Sequence, residues 1–280
     1  VDTTPPQLPT VDSQTTGDQT PGITGTADAG SEVRVTIGNN TYTATALSDR
    51  SWSLDWPDIL LQGTYPVTVI AVDAAGNLSE EGTGTLEIDL TGPSRPTVED
   101  LTTNIQTPKI KGTAEAGSGV RVTIGDKTYP TTAISNSTWS LDWPEPLNQG
   151  LYTVTVIATD EYGNPSEEGS GVLTIDTTAP SDPVFDEDPI ITNSPTPEIT
   201  GTADAGSKVR VTIDAKTYVA TADGNDSWRL TTDTLSEGIK TITAIATDLA
   251  GNTSGSVTAT LKVDTTPPQL PTVDSQTTGD

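Results

Sequence analysis

The 280 residues include no cysteine, no methionine and no histidine, and only one phenylalanine. Each absence removes a class of chemistry. Without cysteine there is no disulfide framework and no thiolate to act as nucleophile or metal ligand; without histidine there is no imidazole ligand and no Ser-His-Asp or Cys-His machinery. Basic residues are scarce as well: 13 Lys and Arg stand against 39 Asp and Glu, a formal net charge of −26, so a phosphate backbone or an anionic lipid surface would be repelled. No run approaches the ~18 consecutive apolar residues that a membrane helix needs, and the first residues carry neither a basic nor an apolar leader. Nucleic acid and membrane insertion are therefore not expected of this segment.

What the chain does have is repetition. GTADAG at Gly25, GTAEAG at Gly112 and GTADAG at Gly201 lie 87 and 89 residues apart, and Trp52, Trp139 and Trp228 keep the same spacings. DAAGN at Asp73, DEYGN at Asp160 and DLAGN at Asp248 recur at 87 and 88, as do the linker acids Asp89, Asp176 and Asp264. Val1–Asp18 recurs letter for letter as Val263–Asp280. A period near 88 exceeds the roughly 20–50 residues of solenoid repeats and suits a small autonomous domain. The expected division is 1–88, 89–175 and 176–263, with 264–280 as a linker and the opening of a fourth repeat.

Within each repeat apolar residues alternate with Thr, Ser or charge, as in SEVRVTI from Ser31, SWSLDW from Ser51 and YPVTVIAV from Tyr65. Period two predicts strands, about seven per repeat, broken by Gly, Asn, Asp and Pro, with no credible helix. That pattern points to an all-β, two-sheet sandwich. Trp52, Leu54 and Trp56 share one strand face and are expected to plug the core, with Trp56 as a rim aromatic that the third repeat replaces with Thr232. Tyr65 and Tyr152 precede alternating runs as a tyrosine corner would, but the third repeat has Lys240 there.

In a Greek-key sandwich the leading linker, the loop after the second strand and the loop before the last strand all lie at one pole. Each carries an acid: Asp2, Asp28 and Asp73; Asp89, Glu115 and Asp160; Asp176, Asp204 and Asp248. Carboxylates, carbonyl oxygens and water suit calcium, a hard cation that takes roughly 6–8 oxygen ligands. Asp and Asn also favour turns for their own sake, the reading preferred for Asp18, Asp58, Asp126 and Asp214. Because Asp89 and Asp176 sit in linkers, an ion there would turn a hinge into a stiff joint, which the linker prolines already restrict. Paired carboxylates can hydrolyse glycosides, yet three copies of one active site on such small repeats, with no aromatic-lined cleft, argue against an enzyme.

The set DTTxP, GTAxAG, SWS and DxxGN resembles the bacterial Ig-like repeat domains of giant non-fimbrial adhesins exported by type I secretion. The resemblance covers nearly the whole chain and is closest in DTTAPSDP from Asp176, GTADAGSKVRVTI from Gly201 and ATDLAGNTS from Ala246. It implies three tandem Ig-like Greek-key β-sandwich domains in an extended rod, a stalk on the outside of a bacterial cell that spaces a distal adhesive tip from the surface. It also implies calcium at the junctions, on the nine acids just named. The implied partners are the neighbouring repeats, with surface ligands met through other parts of the protein and the fragment itself monomeric. Two departures stand out: Glu115 in place of Asp, and the linker DLTGP in place of DTTAP. Two rival readings remain. A glycan-binding module would expose Trp56 or Trp143, and a homophilic adhesion module would self-associate with calcium.

Overall fold

A computed structural model describes residues 1–272, all of them strand, turn or loop. No helix among them is long and apolar enough to cross a membrane. In the first repeat β1 (Thr10–Val11), β3 (Gly22–Thr26) and β6 (Ser51–Asp55) form one sheet in the order β1-β3-β6. The other sheet runs β2-β8-β7-β4-β5, built from β2 (Gln14–Thr16), β4 (Glu32–Ile37), β5 (Asn40–Thr45), β7 (Gly63–Val72) and β8 (Gly82–Ile88). The third repeat has the same two sheets, Val184–Phe185, Glu198–Thr202 and Ser227–Thr231 against Ile190–Thr192, Val257–Val263, Gly238–Thr247, Lys208–Ile213 and Lys216–Thr221. The middle repeat shows the same pairings where Gly119–Ile124 lies antiparallel to Lys127–Thr132, and where Leu101 to Thr103 runs parallel to Leu173 to Ile175.

The first repeat has eight strands where seven were expected. Its opening segment splits: β1 pairs antiparallel with β3, then the chain crosses to the second sheet and β2 pairs in parallel with β8. Two- and three-residue strands are too short to show period-two alternation, so the crossing leaves no mark in the residue pattern.

The cores obey the alternation. Val33, Val35, Ile37, Val67, Val69, Leu86 and Ile88 fill the first, and Val209, Val211, Ile213, Ile242, Leu261 and Val263 fill the third. Trp56 is no rim residue: only 1 % of it is exposed, its indole meets the Tyr42 ring edge-on at 5.0 Å, and the Trp143 indole is buried to a similar degree. The GTA and SWS motifs form one device. A Cβ on Gly25 would stand 2.0 Å from the Thr10 carbonyl oxygen and 2.7 Å from the Trp52 ring, and the Trp52 indole N–H donates to that same Thr10 oxygen at 3.1 Å. Gly112 and Gly201 are as tightly enclosed by Thr97 with Trp139 and by Val184 with Trp228.

The tyrosine corner closes in the first two repeats, where the Tyr65 and Tyr152 hydroxyls donate to the Leu61 and Asn148 carbonyls, each at 2.9 Å. In the third, Lys240 reaches the residue at the same offset, Ser236, through its side-chain oxygen, and pairs with Asp214. The Lys240 side chain is only 8 % exposed, so its charge needs the ion pair to compensate burial, a need that a neutral phenol does not have.

By backbone contacts the chain divides into two compact units. One takes Val1–Glu99, Lys109–Leu141 and Thr153–Gly171; the other takes Asp100–Pro108, Asp142–Tyr152 and the chain from Val172 onward. The middle repeat contributes to both, and each repeat-to-repeat junction lies inside a single unit. Of the expected fourth repeat, residues 273–280 lie outside the described residues.

Candidate functional site at the repeat junctions

The loop between β7 and β8 opens with a five-residue turn, Asp73-Ala-Ala-Gly-Asn77, closed by Gly76 N–H donating to the Asp73 carbonyl at 3.1 Å with Gly76 at φ 90°. One Asp73 carboxylate oxygen accepts the N–H groups of Ala75 and Asn77 at 2.8 and 2.9 Å, and the other accepts the Asn77 side-chain amide at 2.8 Å. The Asn77 amide also donates to the Asp2 carbonyl of the leading linker at 3.3 Å. Asn164 links Asp160 to the Asp89 carbonyl at 2.9 Å, and Asn252 links Asp248 to the Asp176 carbonyl at 2.8 Å. In each repeat one asparagine amide therefore ties the linker to the turn.

The linker acids cap their own backbone: Asp2, Asp89 and Asp176 accept the N–H of Thr4, Thr91 and Thr178 at 2.9–3.0 Å. Asp28 accepts Gln7 N–H and Asp204 accepts Ser181 N–H, both at 2.8 Å, which pins the far half of the linker. Glu115, one methylene longer, instead lines a cleft of about 420 Å³ with Asp89, Asp160, Thr91, Ser118 and Tyr162. The linker is gripped from behind as well. The Gln62 amide donates to the Thr91 hydroxyl at 2.6 Å, and Gln149 bonds Thr178 at 2.8 Å, each reaching from the preceding repeat.

These contacts account for the titration of two of the acids. The Asn77 side chain and its N–H hold Asp73 below its ordinary value of 3.8. For Asp160 partial burial works upward, but the donors of Asn164, Tyr162 and Gly163 outweigh it and the carboxyl is lowered. Tyr162 is raised by partial burial and by the neighbouring Glu161 carboxylate.

The structure thus brings each linker acid, second-loop acid and turn acid to one pole of its repeat. Among the described residues no group of three or more carboxylates is arranged to hold a metal ion. The glycine of DLTGP has a steric cause: a Cβ on Gly92 would stand 2.0 Å from the Pro165 carbonyl oxygen. Two residue types at this pole escape a reading that attends to acids, the asparagine of DxxGN and the serine two residues on. Ser79, Ser166 and Ser254 accept the N–H of Ala71, Ala158 and Ala246 at 2.9–3.0 Å and seal the base of the turn. Both types recur at the repeat period, and that recurrence is the signal that could have found them.

The bacterial Ig-like domain family matches residues 10–90, 94–177 and 179–265. The chain belongs to that family. No curated protein matches it in sequence. Among solved structures it is similar to a tetra-tandem repeat in the extending region of a large adhesion protein, at 26 % identity over 93 % of this chain and 74 % of that one, with a TM-score of 0.31. It is similar to a Ca2+-stabilised adhesin with which an Antarctic bacterium reaches out and binds ice, at 22 % identity over 92 % and 74 % of the two chains, with a TM-score of 0.38. A third is a structure on host cell surface retention of a 1.5-MDa bacterial ice-binding adhesin, at 20 % identity over 94 % and 100 %, with a TM-score of 0.38.

Proposed function

We propose that this bacterial Ig-like chain is a non-catalytic spacer, part of the stalk of an adhesin on the outer face of a bacterial cell, whose task is to hold a distal binding region at a distance. The observation that carries this reading is the double grip on each linker. Thr91 is held by Gln62 behind it while the Asp89 carbonyl is held by Asn164 ahead of it, and Thr178 and Asp176 are held in the same way by Gln149 and Asn252. Elements that only connect domains have no need of such bonds, whereas a spacer must resist bending at its joints. The glycan-binding rival loses its platform, because Trp56 and Trp143 are at most 2 % exposed.

The reading extends to calcium. The residues fit the ion in kind, since Asp89, Glu115 and Asp160 line one cleft together with hydroxyl oxygens, and every donor there is hard. Asp2, Asp28 and Asp73, and Asp176, Asp204 and Asp248, are the corresponding sets. Their carboxylates are engaged with N–H donors, so the side chains would have to close on an ion rather than receive it in a finished shell. Bound calcium would supply positive charge where linker and repeat both present acids. Small-angle scattering of the fragment, with calcium and then with chelator, tests both parts. A rod whose maximum dimension is kept in calcium and whose distance distribution broadens on chelation supports them. Unchanged curves remove calcium and leave the spacer, whereas a compact particle in both buffers removes the spacer.

A further inference from the structure

One backbone position at the pole carries a different kind of side chain in each repeat. Arg50, Ser137 and Asp226 each end the turn that leads into the tryptophan strand, with φ of 72°, 63° and 62°. Each donates its N–H to the carbonyl of the residue three before it, Leu47, Ile134 and Asp223, at 2.9–3.1 Å. Their own carbonyls accept the N–H of Ala27, Ala114 and Ala203 at 2.8–3.0 Å, which sets all three beside the loop that holds Asp28, Glu115 and Asp204. In the first repeat this position supplies a cation. Arg50 Nη2 lies 3.0 Å from Asp28 Oδ1 and donates to the Gln7 side-chain oxygen of the leading linker at 3.0 Å. Asp28 Oδ2 accepts the Gln7 N–H at 2.8 Å, so both oxygens of this acid are engaged, and linker, loop and guanidinium close on one another. In the third repeat the position supplies a further acid instead. Asp226 accepts the N–H of Ala205, the residue after Asp204, at 2.9 Å, while Asp204 accepts the Ser181 N–H of its linker at 2.8 Å. Glu32 and Lys208, which open the neighbouring strands, lie on the outer face of their sheets, and Glu32 is already paired with Arg34.

An arginine at positive φ is uncommon, because Gly, Asn and Asp occupy that region at lower cost, and the chain has only 13 basic residues to place. We propose that Arg50 is a tethered cation of the first pole: it neutralises Asp28 and holds the leading linker through Gln7, so that the grip of this pole on its linker is independent of metal. The bonds are charge-assisted and come from a group that stays ionised throughout the physiological range. A guanidinium carried by the chain itself is not removed by a chelator. The contrast with the third pole rests on the calcium part of the proposed function. There Asp226 adds a carboxylate where the first repeat has its cation, so an ion from solution has to supply the charge that Arg50 supplies in the first. The Arg50 assignment stands without that contrast, since it needs only Asp28 and Gln7. It leaves the first pole out of any calcium response of the chain.

The test reads the exchange protection of two equivalent amides in the full chain by NMR, Gln7 N–H on Asp28 and Ser181 N–H on Asp204. It is run at about 0.01 M ionic strength, where a half-exposed ion pair is least screened, in chelator and again with calcium chloride. In the parent, Gln7 protection is expected to agree within about twofold between the two buffers, whereas Ser181 protection should rise about fivefold with calcium. Arg50→Gln, which removes the charge, should lower Gln7 protection about threefold to fivefold in chelator, with Trp52 emission reporting that the repeat stays folded. Arg50→Lys, which keeps the charge, should stay within about twofold of the parent. Three results overturn the proposal: Gln7 protection that rises with calcium in the parent as far as Ser181 does, an Arg50→Gln variant that matches the parent in chelator, or an Arg50→Lys variant as weak as Arg50→Gln. If Ser181 ignores calcium while Arg50→Gln still weakens Gln7, the calcium reading fails and the tethered cation stands.

Discussion

At Gly112 a single hydrogen atom is what the fold can accommodate. A methyl group there would meet the Thr97 carbonyl oxygen at 1.9 Å and the Trp139 ring at 2.7 Å, both on packed elements that cannot swing aside. Gly112→Ala is expected to cost about 2–3 kcal/mol through overpacking, seen as a lower melting temperature in a calorimetric scan of the parent and variant. An unchanged scan would mean that the linker segment carrying Thr97 can slide away without loss. Gly92 depends on the same kind of closeness to Pro165, but in a linker, and it shows why the middle linker has glycine where DTTAP has alanine. Tyr65, Tyr152 and Lys240 make the complementary point: one position can be satisfied by a phenol or by an ammonium, provided that the ammonium finds Asp214.

The Asp-x-x-Gly-Asn turn is the element on which the junction depends, and the asparagine is its working part. Asn164→Ala removes two bonds in one step, to the Asp89 carbonyl and to the Asp160 carboxylate. The expected loss is about 1–2 kcal/mol of local stability, confined to residues 89–93 and the turn and read as faster amide exchange there with the sandwich core unaffected. Acid should act on the same element. Asp73 and Asp160 are held below their ordinary value, so the stability they contribute is present above the unfolded value of 3.8 and is lost as the pH falls through the lower folded value. The protection factors of Ala75, Asn77 and Asn164, which divide out the intrinsic pH dependence of exchange, are expected to fall below about pH 4 and to stay level between pH 5 and 8; a fall in the neutral range would point to some other group.

Much of this element is legible in the sequence. The threefold recurrence of the acids locates the pole, and alternation locates the strands that carry it. Their use is harder to read, because a carboxylate that caps a turn and one that ligates a cation both present lone pairs at a loop end. Only the placement of N–H donors around Asp73, Asp160 and Asp248 distinguishes the two, and those donors are backbone groups common to every residue type. Asn77, Asn164 and Asn252 escape notice for the opposite reason: an uncharged amide does not stand out next to a row of acids. The crossing from β1 to β2 is illegible, since it depends on pairing with β8 more than seventy residues away.

For the whole molecule the dominant quantity is charge. A net charge of −26 means that every folded repeat works against its own field, and the few ion pairs described, such as Arg34 with Glu32 and Lys262 with Asp264, join half-exposed groups of modest worth. Two different remedies are available, and they can be told apart. Screening by simple salt is indifferent to position: raising NaCl from about 0.01 M to 1 M shortens the Debye length from roughly 30 to 3 Å and should raise the melting temperature of the chelated chain steadily. Calcium bound at the poles would act through specific oxygens, so it should saturate at millimolar concentration, where its contribution to ionic strength is small, and stabilise by mass action beyond that point only logarithmically. The comparison is therefore a pair of thermal titrations in chelated buffer, one in NaCl and one in CaCl2 at matched ionic strength. A saturating calcium curve standing above the salt curve assigns the acids to ion binding. Superimposed curves would leave them as turn caps whose excess charge any electrolyte can screen, and any stiffness of the joints would then rest on the amide grips of Asn164 and Asn252 ahead of each linker and of Gln62 and Gln149 behind it.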